Sequence, residues 1–318
     1  MGGWYTVIRM NTARVYIAGA GAIGQIIGAA VSDVAGEVVF VDVNSELVGR
    51  ISGEGVVVER QGVPKVLRTR AVTHADGLPP ADLIFFCVKG FATAAAAELV
   101  APLVSDATVV CSLQNGWGNG DILGGRFGTD AVVVGVTYNS ATVGEGKVSH
   151  TGVGPTHVGP LGNGNLARAE GVADFLSSAG LEAHATADVQ HEIWKKLVLN
   201  AATLPTAALS GLAAGPLGAH PAMLELVDGV TREAVAVARA LGLPIDAEER
   251  IQLIHEVLER VGDGKGSMLQ DVEASRRTEI DTITGAVVTA AEGVGIDVPL
   301  NRALYALVSG LERARGLA

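Results

Sequence analysis

The chain has 318 residues, of which 48% are hydrophobic and 4% aromatic, and its formal net charge at pH 7 is −11. The length predicts about two domains. The acidic balance excludes a nucleic-acid surface or a polybasic membrane contact, both of which need clustered lysine and arginine, and the absence of a charge-free apolar run of about 18 residues excludes a membrane span.

The composition also excludes several site classes. The two cysteines, Cys87 and Cys111, lie in apolar runs, so we expect buried thiols in a protein of the reducing cytoplasm. No CxxC motif or His/Cys cluster occurs, so no metal site is expected.

Residues 1–12 lack the apolar core of a signal peptide and are predicted to precede the first strand, with Met10 as an alternative start to Met1.

The first pattern along the chain is an apolar run, residues 15–18, that leads directly into Gly19-Ala-Gly-Ala-Ile-Gly24. It predicts a β-strand, a tight turn and a helix N-terminus. Gly19 permits the turn, Gly21 lets a pyrophosphate approach the backbone, and Gly24 lets the helix pack close to the strand. The helix N-terminus adds free N–H groups and the positive end of the helix dipole. The predicted dinucleotide-binding residues of this turn are Gly19, Gly21, Ala22, Ile23 and Gly24.

A second predicted strand, residues 37–42, ends in an acidic residue. Asp42 follows the glycine turn at about the spacing, roughly 20 residues, at which a carboxylate binds the ribose of a dinucleotide. The strand, turn, helix and acid together predict a dinucleotide site, because a glycine motif alone is a weak indication.

Strands and helices continue to alternate up to residue 186. The apolar run at residues 82–89 is typical of a parallel strand buried on both faces. Other predicted elements are a hairpin-like insertion at 56–60 and 66–70, a helix at 93–100, strands at 107–113 and 131–137, antiparallel strands within 140–159, a helix at 166–179 and a strand near 182–185. The pattern predicts an α/β fold, a Rossmann-type doubly wound parallel sheet, for a domain at residues 1–186.

The remainder, residues 187–318, is predicted to form an all-helical second domain that carries substrate-binding and catalytic groups. The predicted helices begin at 188 and continue at 221–241, 246–261, 268–293 and 299–313. The apolar faces of 221–241 and 280–311 either pack inside this domain or form a homodimer; the sequence leaves both open.

Four sequence blocks carry a resemblance that covers nearly the whole chain from Arg14 onward. They are Gly19-Ala-Gly-Ala-Ile-Gly24, Gln114-Asn-Gly-Trp-Gly118, Glu192-Ile-Trp-Lys-Lys-Leu-Val-Leu-Asn200, and Ser267-Met-Leu-Gln-Asp271 with Thr278-Glu-Ile-Asp281. With these blocks the chain resembles the ketopantoate reductase (2-dehydropantoate 2-reductase) family of pantothenate biosynthesis. The resemblance implies a Rossmann domain, a helical domain, and a cleft between them where hydride passes to a 2-keto acid.

The resemblance also implies roles for individual residues. Reduction of a ketone leaves negative charge on its oxygen, so a proton donor is needed there. The family's lysine corresponds to Lys196, which we favour over Lys195, and Asn200 lies one helical turn further on the same face. The other implied residues are Glu279 as the acidic partner of the lysine, Ser267 as a ligand of the substrate carboxylate and an alternative N-cap, Asn115 as a contact of cofactor and substrate, and Lys89 on the nicotinamide side.

Two residues depart from the family pattern. Asp42 ends the second strand where the family carries a basic residue for the 2′-phosphate, so we expect NAD(H) to be favoured over NADP(H), with NADP(H) still open. Leu204 replaces an asparagine that the family turns toward the polar tail of the substrate. A mandelate-type, NAD-dependent D-2-hydroxyacid dehydrogenase acting on branched or aromatic 2-keto acids is therefore the alternative to ketopantoate reduction.

A further alternative is a non-catalytic dinucleotide sensor. It predicts a binding site without proton-donating and carboxylate-binding groups, whereas Lys196, Asn200, Ser267 and Glu279 are all present. The sequence leaves the physiological direction of the reaction open.

Overall fold

The structure is a computed structural model that describes residues 8–60, 62–144 and 146–317. Of the two candidate starts, Met10 is described and Met1 lies outside the described residues. The chain divides into two compact units. The first comprises the described parts of Met1–Gln114 and Asn119–Val189, and the second comprises Asn115–Gly118 and the described part of Gln190–Ala318.

The first unit contains, within the described residues, an eight-stranded sheet. In spatial order its strands are β12 (Ala183–Ala185), β11 (Thr156–Pro160), β8 (Val132–Thr137), β7 (Val109–Ser112), β6 (Leu83–Phe86), β1 (Arg14–Ala18), β2 (Glu37–Val41) and β5 (Arg70–Val72). Every neighbouring pair is parallel except β8 and β11. The predicted Rossmann-type parallel sheet is thus confirmed.

The strand order determines where a ligand can bind. From β1 the chain proceeds to β2 on one side and returns to β6 on the other, so the order reverses at β1. Doubly wound sheets bind ligands at the carboxyl ends of the strands beside such a reversal. The central strands are fully buried, as Val15, Ile17 and Phe85 illustrate, so the glycine turn at the end of β1 rests on a rigid base.

A second, four-stranded sheet belongs to the same unit, in the order β4 (Val63–Leu67), β3 (Val56–Arg60), β10 (Val148–Gly152), β9 (Ser140–Val143). The predicted hairpin is present, but its second strand at 66–70 was placed wrongly. Gly62 has a φ of +78°, which allows a turn directly after β3, so β4 begins at Val63. The separate strand β5 then joins the main sheet, and the predicted strands at 140–159 divide between the two sheets.

The helices of the first unit are α1 (Ala22–Val31), α2 (Ser45–Glu54), α3 (Thr93–Val100), α4 (Asn119–Phe127) and α5 (Leu166–Ser178). The sequence pattern missed α2 and α4. Both helices are largely solvent-accessible, with one buried residue in α2 and three in α4. Their apolar periodicity is therefore weak.

The second unit is helical, as predicted. Its helices are α6 (Val189–Ser210), which begins at the last residue of the first unit, α7 (Ala214–Ala219), α8 (Pro221–Ala240), α9 (Ala247–Val261), α10 (Ser267–Glu273), α11 (Ala286–Val294) and α12 (Pro299–Ala314). The apolar faces of α8 and α12 pack into the core of this unit through Val230 and Val308. None of the described helices combines the length and apolar character that a membrane crossing requires.

The single long helix predicted for 268–293 is wrong. Helix α10 ends at Glu273, Ser275 adopts a left-handed conformation with a φ of +50°, and regular helix resumes only at α11, after a π-helical turn at Asp281–Gly285. A left-handed serine stops a right-handed helix. The consequence is that the segment 274–280 forms a turn, and this turn carries Glu279.

Candidate functional site

Glycine occupies the three positions of the turn after β1 for different structural reasons. Gly19 has a φ of +99°, and a Cβ there would lie 2.7 Å from the Val88 nitrogen. A Cβ on Gly24 would lie 2.1 Å from the Gly19 carbonyl oxygen. Gly21, by contrast, has φ −67° and ψ −174°, which any residue adopts, and no atom lies within 4 Å of the position of a Cβ. The first two glycines are thus required by the fold, whereas Gly21 only leaves space free.

That open space lies at the N-terminus of α1. Gly21 is the N-cap residue and provides no side-chain cap, so the first N–H groups of the helix, including those of Ala22 and Ile23, lack both a helical and a side-chain cap acceptor. Gly21 is exposed, and Ala22 and Ile23 are partly exposed. An exposed helix N-terminus with no side chain over it fits the pyrophosphate of a dinucleotide.

Asp42, directly after β2, is tied to the same turn. Its Oδ2 accepts a hydrogen bond of 2.7 Å from the Ala20 N–H, and its Oδ1 accepts one of 2.9 Å from the Asn44 N–H. Asn44 is in turn the N-cap of α2, where its side chain accepts from the Leu47 N–H. Both carboxylate oxygens are therefore held in place, and each retains a lone pair with which to accept from a hydroxyl group.

Lys89 lies at the carboxyl end of β6, where it precedes a short 3₁₀ turn at Gly90–Ala92. It is partly buried and belongs to the first unit. At the end of this turn, the Thr93 hydroxyl lies 2.7 Å from the Gln114 Nε2 and 2.9 Å from the Asn119 Oδ1. The two residues that flank the segment 115–118 are thus bound to one hydroxyl group.

Three predicted residues meet in the second unit. The Lys196 Nζ donates a hydrogen bond of 2.9 Å to the Asn115 Oδ1, and the Asn115 Nδ2 lies 3.4 Å from the Glu279 Oε2. The carboxamide therefore bridges the ammonium and the carboxylate. We call these three residues the lysine group. They come from the segment after β7, from α6, and from the turn at 274–280, so the sequence separations are 81 and 164 residues.

The side chains of Lys196 and Glu279 in the lysine group are largely shielded from solvent. Glu279 is 7% exposed and Lys196 is partly buried. Removal from water lowers the pKa of Lys196 to about 8, and the negative charge of Glu279 opposes part of this effect. A lysine with a pKa near 8 exchanges its proton readily near neutral pH, which is what a general acid requires.

The adjacent Lys195 has a different environment. Its Nζ donates to the Glu192 Oε1 at 3.0 Å, an (i, i+3) pair on α6 with both side chains partly exposed. Its carbonyl oxygen accepts a hydrogen bond of 2.9 Å from the buried Arg250 of α9. Lys195 therefore contributes to helix packing, and it serves below as a matched control for Lys196.

Asn200 and Leu204 follow Lys196 on α6 at successive four-residue steps, so all three lie on one side of the helix. Both side chains are nearly buried. Among the described residues the Asn200 amide has no hydrogen-bond partner, which leaves it available to a ligand. Leu204 is part of the apolar core of this unit, and its Cδ2 would be 2.8 Å from a Cβ on Gly266.

Ser267 is exposed and is the first residue of α10. The prediction that it is an N-cap is wrong: the N-cap is Gly266, because the non-helical backbone conformation lies one residue earlier, and no side chain caps this helix. Its hydroxyl group is consequently not occupied by capping.

Sequence reasoning missed the residues that hold the turn of Glu279. The buried Glu312 of α12 accepts a hydrogen bond of 2.6 Å from the Thr278 N–H, and the Thr278 hydroxyl accepts from the Ile280 N–H. Arg276 donates its N–H to the Asp271 carbonyl oxygen at the end of α10. Only the burial of an acidic residue on an apolar helix face would have indicated Glu312, and periodicity does not reveal burial.

No group of three or more His, Cys, Asp or Glu side chains that could hold a metal ion occurs in the part of the chain that the structure describes. Cys87 and Cys111 are free thiols, and burial raises the pKa of Cys87 to about 12. Neither thiol is therefore activated for nucleophilic chemistry at neutral pH.

Comparison with known proteins identifies the family. Family models described as ketopantoate reductase PanE/ApbA and as its C-terminal part match residues 15–163 and 188–312. A 2-dehydropantoate 2-reductase of Archaeoglobus fulgidus is 36% identical over 95% of this chain and 99% of its own length. The corresponding protein of Halobacterium salinarum is 32% identical over 94% of this chain and 99% of its own length.

Solved structures show the same relationship. D-mandelate dehydrogenase with NADH and anilino(oxo)acetate has a TM-score of 0.90 at 26% identity, with 96% of this chain and 100% of that chain covered. A PanE/ApbA family ketopantoate reductase from Ralstonia eutropha JMP134 has a TM-score of 0.84 at 31% identity, with 95% and 99% covered. Both enzymes share the whole fold with this chain.

Proposed function

The chain belongs to the ketopantoate reductase family, and we propose that it transfers a hydride between a nicotinamide cofactor and a 2-keto acid, with ketopantoate, reduced to pantoate, as its substrate. The observation that carries this proposal is the lysine group. An ammonium of lowered pKa, held by a carboxamide that also contacts a carboxylate, is suited to protonate a keto oxygen.

The residues divide the chemistry among them. The reduced nicotinamide, when bound, supplies the hydride. The Lys196 Nζ carries three protons, one of which is hydrogen-bonded to the Asn115 Oδ1. The ammonium transfers a proton to the keto oxygen, which becomes the hydroxyl group as its negative charge develops. Glu279 orients Asn115 and favours the charged form of the lysine. The free base left on Lys196 is reprotonated from solvent.

The remaining predicted residues are assigned to binding. We propose that the open Asn200 amide and the uncapped Ser267 hydroxyl hydrogen-bond the substrate, the latter at its carboxylate. Gly19, Gly21, Ala22, Ile23, Gly24 and Asp42 would hold the cofactor, with Lys89 and Asn115 on its nicotinamide side. The fit of the glycine turn to a pyrophosphate supports this assignment.

We further propose that NAD(H) is preferred to NADP(H). Each Asp42 oxygen is held by a backbone N–H, so the carboxylate cannot easily turn away to admit a 2′-phosphate. A carboxylate in this position accepts from a free 2′-hydroxyl group and repels a phosphate. The ratio of kcat/KM for NADH and NADPH tests this. We expect at least about a tenfold preference for NADH, reduced in Asp42→Asn; a preference of the wild-type enzyme for NADPH would refute it.

A mandelate-type D-2-hydroxyacid dehydrogenase is the second candidate, and Leu204 is the observation that favours it. An aliphatic side chain next to Asn200 offers no hydrogen bond to a hydroxylated tail, whereas it can contact a branched or aromatic one. The D-mandelate dehydrogenase that shares this fold was solved with NADH.

The deciding experiment is a panel of 2-keto acids measured with both NADH and NADPH. If ketopantoate has the highest kcat/KM, the result supports the first candidate. If phenylglyoxylate or a branched 2-keto acid has the highest value, the result supports the second. Tight NADH binding without turnover of any member would indicate a dinucleotide sensor instead.

Three coarser predictions accompany the proposal. The predicted domain limits at 1–186 and 187–318 can be tested by limited proteolysis. A homodimer formed through the helical unit can be tested by sedimentation velocity. A cytoplasmic location is consistent with two unpaired, unreactive thiols, and cell fractionation tests it.

A further inference from the structure

The segment that carries Asn115 is seated closely on the turn that follows Glu279. We call residues 115–118 the asparagine segment; it belongs to the second unit. The Trp117 N–H donates a hydrogen bond of 2.9 Å to the Thr282 carbonyl oxygen. Gly116, at a φ of +88°, approaches the same carbonyl so closely that a Cβ would lie 2.2 Å from its oxygen. Thr282 lies in the π-helical turn that follows Glu279.

The side chain of Trp117 is held by a contact with a second aromatic ring. Its ring meets that of Trp194 edge-on, with 5.1 Å between the centroids and 69° between the planes. Trp194 is fully buried and lies on α6, two residues before Lys196. Edge-to-face aromatic pairs have a preferred geometry, so the contact orients both rings.

These contacts connect the asparagine segment to the two elements that carry the partners of Asn115. Its backbone is bound to Thr282, three residues after Glu279 in the chain, and its indole contacts Trp194, two residues before Lys196 on α6. Gly116 and Gly118 both have positive φ, at +88° and +93°, so the backbone on either side of Trp117 consists of residues with wide conformational freedom. The ring and the Thr282 hydrogen bond therefore provide the constraint that the glycines lack.

We infer that Trp117 is a positioning residue of the reaction, which holds the Asn115 carboxamide between Lys196 and Glu279 by docking on Trp194 and Thr282. This inference rests on the proposed function, since it assigns Trp117 to the proton-donating group of that reaction. In this role Trp117 acts through the backbone of the segment.

The test compares Trp117→Ala and Trp117→Phe with the wild-type enzyme. We expect kcat for the keto acid to fall about 10-fold or more in the alanine variant, because small displacements of catalytic groups are costly. The Kd of the cofactor, which is assigned mainly to the glycine turn and Asp42, should change less than kcat. The phenylalanine ring should restore most of kcat. An unchanged kcat in Trp117→Ala, or a loss of kcat equal to the loss of folded protein, would overturn the inference.

Gly116→Ala and Gly118→Ala form a matched pair for the backbone contact. Both place a side chain at positive φ in the same segment, but only the Gly116 position meets the Thr282 oxygen; no atom lies within 4 Å of a Cβ at Gly118. The expected result is a larger loss of kcat in Gly116→Ala. Equal losses would show that the contact with Thr282 does not position Asn115.

A measurement that is independent of turnover separates this inference from the proposed function. NMR titration of the Lys196 side chain should show its pKa rising from about 8 toward 10.5 in Trp117→Ala, because water reaches the ammonium once the carboxamide is displaced. If the wild-type protein reduces no 2-keto acid, the proposed function fails, and this titration still decides the inference: the same Lys196 titration in both proteins refutes it.

Discussion

The glycine turn of the first unit and the lysine group of the second depend on opposite properties of the chain. In the proposed function the turn acts through backbone N–H groups, and it needs side chains to be absent, at Gly21 for the proposed ligand and at Gly19 and Gly24 for the fold. The lysine group works through three side chains brought together over separations of 81 and 164 residues. The proposed binding site is thus encoded locally, whereas the proposed proton chemistry depends on the tertiary structure of the helical unit.

The comparison predicts different consequences for substitution in the two regions. In the turn, we expect substitutions to disturb folding and binding separately, because Gly19 and Gly24 have close contacts in the fold and Gly21 has none. In the lysine group, the groups that make the site reactive also make it costly to bury. The predictions below test this difference.

The largest expected effect is the loss of turnover in Lys196→Ala. Without the ammonium no group in the lysine group donates a proton, and we expect kcat to fall about 10³-fold, with cofactor affinity retained. Steady-state kinetics and a fluorescence titration with NADH measure the two quantities. Lys195→Ala is the matched control and should keep kcat within about threefold, since Lys195 pairs with Glu192. Equal losses in both variants would contradict the assignment of Lys196.

The second prediction separates the glycines. A Cβ at Gly24 would overlap the Gly19 carbonyl, so Gly24→Ala should lower the free energy of unfolding by about 3 kcal/mol. Gly21→Ala has space and an allowed backbone conformation, so its stability should change by less than about 1 kcal/mol, while the Kd for NADH rises about 10-fold or more. Chemical denaturation and calorimetric titration measure these effects. A destabilised Gly21→Ala variant with normal NADH binding would reverse the interpretation.

The third prediction concerns pH. Reduction needs Lys196 protonated, and removal from water lowers its pKa to about 8, so kcat/KM for reduction should be constant below pH 8 and fall about tenfold per pH unit above it. Oxidation of the hydroxy acid needs the free base and should show the opposite limb. Profiles of both directions, with Lys195→Met as control, measure this. A reduction rate that stays constant up to pH 10 would exclude Lys196 as the acid.

The smallest predicted effect is a gain of stability with rising pH. The pKa of Lys196 is lower in the folded than in the unfolded chain, so between about pH 8 and 10.5 the unfolded chain binds more protons, and unfolding becomes harder as pH rises. In Lys196→Met this slope should be reduced by about 1 kcal/mol per pH unit, because the titrating group is absent, whereas Lys195→Met should keep it. Denaturant titrations of the three proteins across this range measure the slope, and equal slopes in the wild type and Lys196→Met would argue against a desolvated lysine.

Local features of the fold could be predicted from the sequence. The apolar run at 15–18 predicted a strand and that at 82–89 a buried parallel strand, which are β1 and β6. Asp246 predicted the start of α9, where its carboxylate caps the helix through the Glu248 and Glu249 N–H groups. In each case the cause lies within a few residues of the pattern, so periodicity and capping chemistry suffice.

The turn that carries Glu279 could not be predicted from periodicity or capping residues. The apolar pattern of 268–293 continues through it, and the break depends on the left-handed Ser275 and on Glu312, whose carboxylate binds the Thr278 N–H from 34 residues away. Asn115 presents the same difficulty, since an Asn-Gly pair after a strand is typical of an ordinary turn. The resemblance to a family indicated both residues, but their joint contact with Lys196 is a property of the tertiary structure.

The discontinuity of the second unit has a consequence for its evolution and engineering. Its residues 115–118 are encoded within the stretch that otherwise specifies the first unit. A gene fragment that begins at residue 187 would supply Lys196 and Glu279 without the carboxamide that bridges them. A single crossover between the two halves would therefore combine the asparagine segment of one relative with the lysine and glutamate of the other.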